Sequence, residues 1–146
     1  TGDSDPTTSV IPVGSADANN SGRALIAYIW APIPGFSAAP QWSGNSSTDG
    51  IFLNLGFRPR AFWFKRTDSS ANWYVYDSTR STSNPVNKNL EWNTGDAENV
   101  LTSMNVDFVS NGVKIRGNDG DINGAGNYIG FAWAENPFQM NGGLAR

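Results

Sequence analysis

The chain has no cysteine and no histidine. Without thiols it forms no disulfide bond and no thiolate nucleophile, and without imidazole it lacks the commonest general base and metal ligand at neutral pH. Ser-His-Asp triads, Cys-His dyads and histidine-containing zinc sites are therefore excluded within this chain. The chemistry that remains is that of carboxylates, of oxygen-ligated metals, or of binding without catalysis.

Positive charge is also scarce. Ten Lys and Arg against 13 Asp and Glu give a formal net charge of −3 and a pI near 4.7. Duplex binding requires a basic face, so we expect no nucleic-acid partner. The longest apolar run, Ala24–Ala31, is far shorter than the roughly 20 residues that span a bilayer, so we expect no membrane partner. The polar start, Thr1–Ser9, lacks the apolar stretch of a signal peptide, and we interpret the chain as a processed product or an excised piece.

Helix-forming residues are few, whereas small polar residues are abundant. The chain has three Glu but 17 Asn, 16 Gly, 15 Ser and 9 Thr among its 146 residues. Aromatic and β-branched residues occur in short runs between these turn formers, which is the pattern of strands and tight turns. Because aromatic residues reach 12%, the chain is not a disordered, low-complexity polymer. The sequence therefore predicts one folded, all-β domain.

Seven segments have the composition or the alternation of strands. They are Ala24–Ala31, Ile51–Leu55, Ala61–Arg66, Trp73–Asp77, Val106–Val109, Val113–Arg116 and Tyr128–Ala134. Short strands separated by Gly and Asn turns predict an antiparallel β-sandwich or a jelly-roll-like domain. At most one short helix is expected, at Asp96–Leu101, with Thr94 as its N-cap.

Two hairpins are indicated by their turn residues. Residues 67–72 are polar turn formers between two strand candidates. Ser110-Asn111-Gly112 lies between two alternating runs, and Asn-Gly is the strongest short hairpin signal. In the second arm of that hairpin, Val113 and Ile115 are expected to face inward.

The chain contains an internal repeat. Residues 10–34 align with residues 113–137 at a shift of 103 without a gap, with seven identities in 25 positions. Shared β-strand composition is the alternative explanation, but matching Trp, Pro and Gly residues favour a true repeat. We interpret residues 36–146 as one β-sandwich module and residues 1–35 as an N-terminal arm that repeats the closing hairpin of a preceding unit.

The repeat leaves one closing strand more than a single sandwich needs. Tyr128–Ala134 follows its own hairpin partner, so we expect it to complete the module and Ala24–Ala31 to be spare. Large apolar side chains on a free strand edge rarely stay exposed. The spare strand either folds back on its own module or adds to a neighbouring subunit, and we predict the subunit contact. The residues predicted to form it are Leu25, Ile26, Tyr28, Ile29 and Trp30.

Three motifs follow one another in a characteristic order. They are SGNSSTDG at Ser43–Gly50, a G-F-x-P-x-x-x-x-x-K-R segment at Gly56–Arg66, and Y-I-x-x-A-x-A-E-N-P-F at Tyr128–Phe138. In this order they resemble a recurrent domain of unknown function that occurs, often in tandem, in virion structural and tail-fibre proteins of tailed phages, many of them marine. The resemblance covers about residues 24–138, and its closing motif is the most specific part. It implies a virion part, located in the particle or outside the cell, and it supplies no catalytic residues.

One loop has the pattern of a cation site. Residues 119–124, DGDING, fit the first half of a D-x-D-x-N-G calcium loop, with Asp119, Asp121 and Asn123 as its ligands. The position of the closing bidentate Glu is occupied by Gly130 within a predicted strand. A solvated turn is the interpretation we favour, and calcium is the one cofactor that the sequence leaves open.

Glycoside hydrolysis needs only two carboxylates at a suitable separation. The candidate acids are Asp77, Glu91, Asp96, Glu98, Asp107 and Glu135. None of them lies in a motif of that chemistry, so we assign no catalytic residue and expect no enzyme.

Two of the six tryptophans lie in polar segments. Trp42 occurs in PQWSGN and Trp92 in NLEWNTGD. An exposed Trp flanked by amides and carboxylates is typical of carbohydrate recognition, because the ring stacks on sugar C–H faces and amides bind hydroxyls. The alternative, which we favour, is that both rings anchor loops to the edge of the domain.

The sequence thus ranks three functions. The first is a non-enzymatic structural module of a phage virion, in a tail fibre, an appendage or a capsid decoration, with other copies or other virion proteins as partners. The second is a carbohydrate-binding module or lectin that recognises a cell-surface glycan. The third is a carbohydrate-active enzyme that uses carboxylates.

Overall fold

Ten strands form in the part of the chain that the computed structural model describes, namely Asp5, residues 7–12, Ala24 and residues 26–137. They are β1 (Ser37–Ala38), β2 (Gln41–Ser43), β3 (Phe52–Asn54), β4 (Pro59–Arg66), β5 (Tyr74–Asp77), β6 (Lys88–Glu91), β7 (Asn99–Val100), β8 (Val106–Val109), β9 (Gly112–Ile115) and β10 (Asn127–Ala134). A 3-10 turn at Thr102–Met104 is the helical element of this set. The chain divides into two compact units, Thr1–Trp30 and Ala31–Arg146, and all ten strands belong to the second.

The larger sheet is built around the two longest strands, β4 and β10. Its order is β1-β10-β4-β5-β6-β7, and β2 pairs with the same edge of β10 as β1 does. Every pairing is antiparallel. Phe64 is paired with Gly130 on β10 and with Tyr74 on β5, and its ring stacks on that of Tyr74. The predicted hairpin across residues 67–72 is confirmed.

The smaller sheet has the order β3-β9-β8. Val113 pairs with Phe108 on one side and with Leu53 on the other. The side chains of Val113 and Ile115 are fully buried, as the alternation predicts, whereas Arg116 beyond the strand is exposed. The hairpin at Ser110-Asn111-Gly112 is confirmed.

The two sheets pack face to face as a β-sandwich. The larger sheet contributes aromatic rings to the interior and the smaller sheet contributes mainly aliphatic side chains. The core consists of Trp42, Leu53, Phe57, Phe62, Phe64, Tyr74, Tyr76, Val86, Met104, Val106, Phe108, Val113, Ile115, Ile122, Tyr128, Ala132 and Ala134. Each Å² of apolar surface removed from water stabilises a folded protein by about 25 cal/mol. The burial of these side chains is therefore the main stabilising contribution to the fold. The antiparallel sandwich predicted from the sequence is confirmed.

Two predicted elements are wrong. Ala24 and residues 26–31 form no strand, and Leu25 lies outside the described residues. The helix expected at Asp96–Leu101 does not form either, because Asn99–Val100 is the short strand β7, which pairs with β6. Thr94 nevertheless makes a local contact, because its hydroxyl accepts a hydrogen bond from the Asp96 amide at 3.2 Å.

The described residues of the unit Thr1–Trp30 lie near its start and near its end. Near its start, the Thr7 hydroxyl accepts a hydrogen bond from the Val10 amide at 3.0 Å, which closes a turn. In its last residues the rings of Tyr28 and Trp30 stack, with centroids 5.9 Å apart and planes 12° apart. Within the described ranges, no helix has the length and apolar character needed to cross a membrane.

Candidate functional site

The loop that connects β9 to β10 carries the predicted calcium ligands, and one of them belongs to the interior. Asn123 is fully buried. Its amide donates to Asn45 Oδ1 at 2.8 Å, to the Ser47 carbonyl at 2.7 Å and to the Gly117 carbonyl at 3.2 Å. Its Oδ1 accepts a hydrogen bond from the backbone N–H of Asn45 at 3.0 Å. Asn123 therefore ties the β2–β3 loop to the β9–β10 loop and has no oxygen directed to solvent.

The two aspartates of this loop bind different protein groups. Asp119 Oδ1 accepts a hydrogen bond from the Asp121 amide at 3.0 Å, and its Oδ2 accepts one from the Ser103 hydroxyl at 3.4 Å. Asp121 Oδ2 accepts a hydrogen bond from the Tyr74 hydroxyl at 2.6 Å. Across the described ranges, no three Asp, Glu, His or Cys side chains are grouped closely enough to hold a metal ion. The side chains of the three predicted calcium ligands are thus each hydrogen-bonded to other protein groups.

Two tyrosines anchor the same loop from the core. Burial, helped by the hydrogen bond to Asp121, raises the pKa of Tyr74 far above its ordinary value. Burial also raises the pKa of Tyr128, whose hydroxyl donates to the Gly120 carbonyl at 2.7 Å. Both phenols donate to this loop and hold it against the end of the sandwich, and their raised pKa values keep them protonated at higher pH than a free phenol.

Four of the six acids considered for hydrolysis pair with or accept hydrogen bonds from neighbouring side chains. Glu135 pairs with Arg58 at 2.8 Å, Asp107 with Arg116 at 2.6 Å and Glu98 with Arg80 at 3.2 Å. Glu91 accepts a hydrogen bond from the Asn72 amide at 2.6 Å.

Asp77 has the environment of a structural anion. It pairs with Arg80 and accepts hydrogen bonds from the amides of Thr79 and Arg80. Burial opposes ionisation of Asp77, but these hydrogen bonds outweigh it, so its pKa lies below its ordinary value. A general acid in glycoside hydrolysis requires a raised pKa instead.

Trp42, predicted as a sugar platform or a loop anchor, lies in the core. It is 7% exposed, and its ring lies parallel to that of Tyr128 with centroids 5.1 Å apart. Its indole N–H donates to the Ile122 carbonyl at 3.3 Å. PQWSGN has the composition of a loop, but residues 41–43 form β2 against β10, which turns the middle residue inward. The ring of Trp42 therefore has no open face on which a sugar can stack.

Trp92 is at the surface and belongs to a larger aromatic cluster. It is 47% exposed, and its ring meets that of Trp63 edge-on with centroids 3.9 Å apart. Trp63 also meets Trp133 at 4.7 Å, and Trp133 lies 6.4 Å from Phe131. We refer to Trp63, Trp92, Phe131 and Trp133 as the outer aromatic face. Sequence reasoning did not group these residues, although period-two alternation in β4 and β10 places three of them opposite the buried rings.

Two open grooves lie near the end of the larger sheet at which β4 ends and β10 begins. One, of about 450 Å³, is lined by Gln41, Trp42, Ser43, Thr67, Asn127, Tyr128 and Ile129. The other, of about 380 Å³, is lined by Lys65, Ser70, Ala71, Asn72 and Asp121. Their walls carry amide and hydroxyl groups and, in the second groove, the charged side chains of Lys65 and Asp121. Such groups form hydrogen bonds with polar ligands in general.

These observations define the class of the protein: an antiparallel two-sheet β-sandwich in which the buried amide of Asn123 ties two loops together and the larger sheet carries an aromatic outer face. The chain belongs to the family described as "Domain of unknown function (DUF7483)", whose model matches residues 1–137. The matched region includes the unit Thr1–Trp30 as well as the sandwich. No curated protein and no solved structure matches the chain.

Proposed function

We propose that the chain is a non-enzymatic structural module of a phage virion, in a tail fibre, an appendage or a capsid decoration, and that it acts in assembly and in host-surface attachment. The proposal places the protein in the particle, with other virion proteins or further copies as its partners. It rests on the motif resemblance and on one observation: the motif residues in the described part of the chain build the framework of the sandwich.

The closing motif provides the first example. Tyr128 stacks on Trp42 in the core, and Ala132 and Ala134 face inward. Glu135 pairs with Arg58, which belongs to the second motif, and the Arg58 side chain also donates to the Phe108 carbonyl on the smaller sheet. The charged pair of these two motifs therefore joins strand ends of the two sheets.

The last residue of the second motif, Arg66, has a similar role. It pairs with Asp68 at 2.7 Å and donates to the carbonyls of Gly120 and Ala125 at 2.9 and 3.2 Å. A guanidinium is suited to this task because its planar donors satisfy several oxygens at once. Arg66 thus fixes the β9–β10 loop to the end of β4.

The opening motif holds the loop between β2 and β3. Asp49 pairs with Lys114 on β9 at 2.7 Å. A Cβ atom at Gly50 would lie 2.9 Å from the Cβ of Ile115, so this position requires glycine for the close approach of the loop to β9. Motif residues of an enzyme family converge on a substrate site, whereas these residues are distributed among strand ends and loop ties, as a structural module requires.

The test is the location of the chain in particles of the phage that encodes it. Antibodies raised against the protein should label gradient-purified particles in immunogold electron microscopy. Mass spectrometry of the same particles should find the chain at a fixed ratio to the major capsid protein. Protein that is present in the infected culture but absent from washed particles would contradict the proposal.

Glycan binding is the second candidate, and the surroundings of Trp92 favour it. Beside this exposed ring, Asn72 accepts a hydrogen bond from Asn93 at 2.9 Å and donates to Glu91 at 2.6 Å. Asn72 also lines the groove of about 380 Å³. An aromatic surface next to amide and carboxylate groups is the combination that recognises sugars. Such binding would give the module a role in host attachment.

A further inference from the structure

The strand β3 forms one edge of the smaller sheet, and part of its backbone faces away from that sheet. The Ile115 N–H donates to the Ile51 carbonyl at 3.0 Å, so residues 51, 53 and 55 direct their N–H and C=O groups to β9. These groups alternate between the two sides of a strand, so those of Phe52 and Asn54 point to the outer side. Among the residues that the structure describes, these four groups have no hydrogen-bond partner.

The other edge of the smaller sheet, β8, is closed by a side chain and by an adjacent segment. Asn84 accepts a hydrogen bond from the Phe108 N–H at 2.9 Å and donates to the Phe108 carbonyl at 3.0 Å. Val106 and Val86 exchange both backbone hydrogen bonds, at 2.7 and 3.0 Å. Natural proteins cover sheet edges in such ways because an open edge is a template for pairing with another chain. The fold therefore closes β8 and, in the described part of the chain, leaves β3 open.

The open edge also lacks the features that discourage pairing. Residues 51–55 read IFLNL, without a charged residue or a proline. Phe52 is 42% exposed, and Asn54 is exposed as well. A Cβ atom at Gly112 on β9 would lie 3.1 Å from Cε2 of Phe52, so this ring lies over β9 and leaves the outer side of β3 accessible. An extended chain can thus approach the four backbone groups, which is the geometry of β-strand addition.

The core-facing residues of this segment have the same pattern in both directions. Ile51, Leu53 and Leu55 are apolar and alternate with Phe52 and Asn54. Leu53 is buried, and Ile51 and Leu55 are half-buried against the core. An antiparallel copy of the segment, centred on Leu53, places Leu55 opposite Ile51 and Leu53 opposite Leu53. Each copy therefore supplies an apolar side chain at every core-facing position of the other.

We propose that β3 of one copy pairs with β3 of a second copy, antiparallel and about a two-fold axis at Leu53. In this register Phe52 exchanges two backbone hydrogen bonds with Asn54 of the second copy, and the same occurs on the other side of the axis. The two three-stranded sheets become one continuous sheet. Because both copies use the same surface, the contact is isologous and closes at the dimer. A second copy is the favoured occupant, since the segment complements itself whereas the described part of the same chain makes no hydrogen bond to its outer side.

The first experiment compares two double variants of the full chain, and its result does not depend on the proposed virion location. Phe52→Glu/Asn54→Glu and Phe52→Glu/Asn54→Lys replace the same side chains and differ in the sign of one charge. Position 52 of one copy lies opposite position 54 of the other, so the first variant places like charges together and the second places opposite charges together. Neither side chain is buried, so both variants should fold, which circular dichroism checks.

Sedimentation velocity measures the association of these proteins. The unmodified chain should show a monomer–dimer equilibrium at concentrations up to about 100 µM. Because the axis places two charge pairs in each dimer, the variant with Asn54→Lys should dimerise at least tenfold more tightly than the variant with Asn54→Glu. A chain that stays monomeric, or two variants with equal dissociation constants, would overturn the contact.

The second experiment measures amide hydrogen exchange in the unmodified chain, so it needs no variant. The amides of Phe52 and Asn54 are compared with that of Leu53, which bonds to β9, at concentrations tenfold below and tenfold above the dissociation constant. The first two amides should exchange at least threefold more slowly at the higher concentration, whereas Leu53 should be protected at both. Fast exchange of Phe52 and Asn54 in the dimer would show that another surface forms it and would overturn the contact. Protection that is independent of concentration would show that the same chain covers the edge, which would also overturn it.

Discussion

The indole of Trp42 lies parallel to the ring of Tyr128, with centroids 5.1 Å apart and planes 9° apart. The two residues are directly paired across β2 and β10, so the stack fastens a three-residue edge strand to the longest strand pairing of the sheet. Parallel or offset aromatic pairs stabilise a structure by roughly 0.5–1.5 kcal/mol beyond the area they bury. This stack explains why a Trp in a loop-like sequence is part of the core.

Replacing Trp42 should therefore destabilise the fold. Trp42→Ala removes a buried ring that also contacts Phe62 and Phe64, and we expect the free energy of unfolding to fall by about 3–5 kcal/mol. Urea unfolding followed by circular dichroism measures this change. Trp92→Ala is the matched control, because its half-exposed ring should cost less than half as much. Equal effects of the two substitutions would contradict the assignment of Trp42 to the core.

Two glycines should differ sharply in their tolerance of a methyl group. A Cβ atom at Gly112 would lie 2.0 Å from the Leu53 carbonyl oxygen on the paired strand, whereas one at Gly95 would meet nothing within 4 Å. Gly112→Ala must separate β9 from β3, so we expect a loss of at least about 2 kcal/mol. Gly95→Ala should be neutral or slightly stabilising, since it reduces the entropy of the unfolded chain. Thermal unfolding of both variants by calorimetry checks the difference.

Tyr74 should make the protein sensitive to alkali. Its pKa in the folded state is raised, first by burial and then by the Asp121 hydrogen bond, so the neutral phenol stabilises the fold fully below its ordinary pKa of about 10. Above about pH 10 the unfolded chain ionises this group and the folded chain does not. Stability is therefore lost as the pH rises from there toward the folded-state pKa. Tyr74→Phe should make the decline between about pH 9.5 and 11.5 less steep.

The same variant should be less stable at pH 7. Without the phenol, Asp121 loses a donor, which costs about 1–2 kcal/mol. Unfolding by urea at a series of pH values measures both effects. Parallel stability curves for Tyr74→Phe and the unmodified protein would show that Tyr74 does not carry the alkaline dependence.

Trp92 should decide the second candidate function. If the module binds a host polysaccharide, Trp92→Ala should abolish retention of the folded protein on that polysaccharide in affinity electrophoresis. Asn72→Ala should weaken retention at least severalfold, because the amide contacts both Asn93 and Glu91. Val100→Asp, on β7, is the control and should be retained normally. Unchanged retention of Trp92→Ala would exclude this ring as a sugar platform.

Much of the fold is local in origin, and the sequence predicts that part well. Asn111 and Gly112 identify the β8–β9 hairpin, because only a few turn types join two antiparallel strands so tightly. Alternation identifies the inward side chains Val113 and Ile115, because a strand turns successive residues to opposite faces. The motif residues that build the framework of the sandwich can be recognised in the sequence, but the residues that they contact cannot.

Other features depend on residues that are distant along the chain. Trp42 and Trp92 occur in similar polar segments, yet one is buried and the other exposed, because β10 pairs with residues 41–43 whereas Trp92 lies just beyond the end of β6. Asp119, Asp121 and Asn123 match a calcium loop in sequence, but their side chains are hydrogen-bonded to Ser103, Tyr74 and Asn45 respectively. Short-range pattern cannot reveal which distant partner satisfies a polar group.

The sequence by itself determined the all-β class, the hairpins and the exclusion of thiol and imidazole chemistry, since composition and turn residues act within a few positions. The tertiary structure decided which rings lie inside, which acids are paired and that Ala24 and residues 26–31 form no strand. It also brought Trp63, Trp92, Phe131 and Trp133 together on one face. The physical reason is that burial and pairing are properties of two segments at once, and the chain brings those segments together only when it folds.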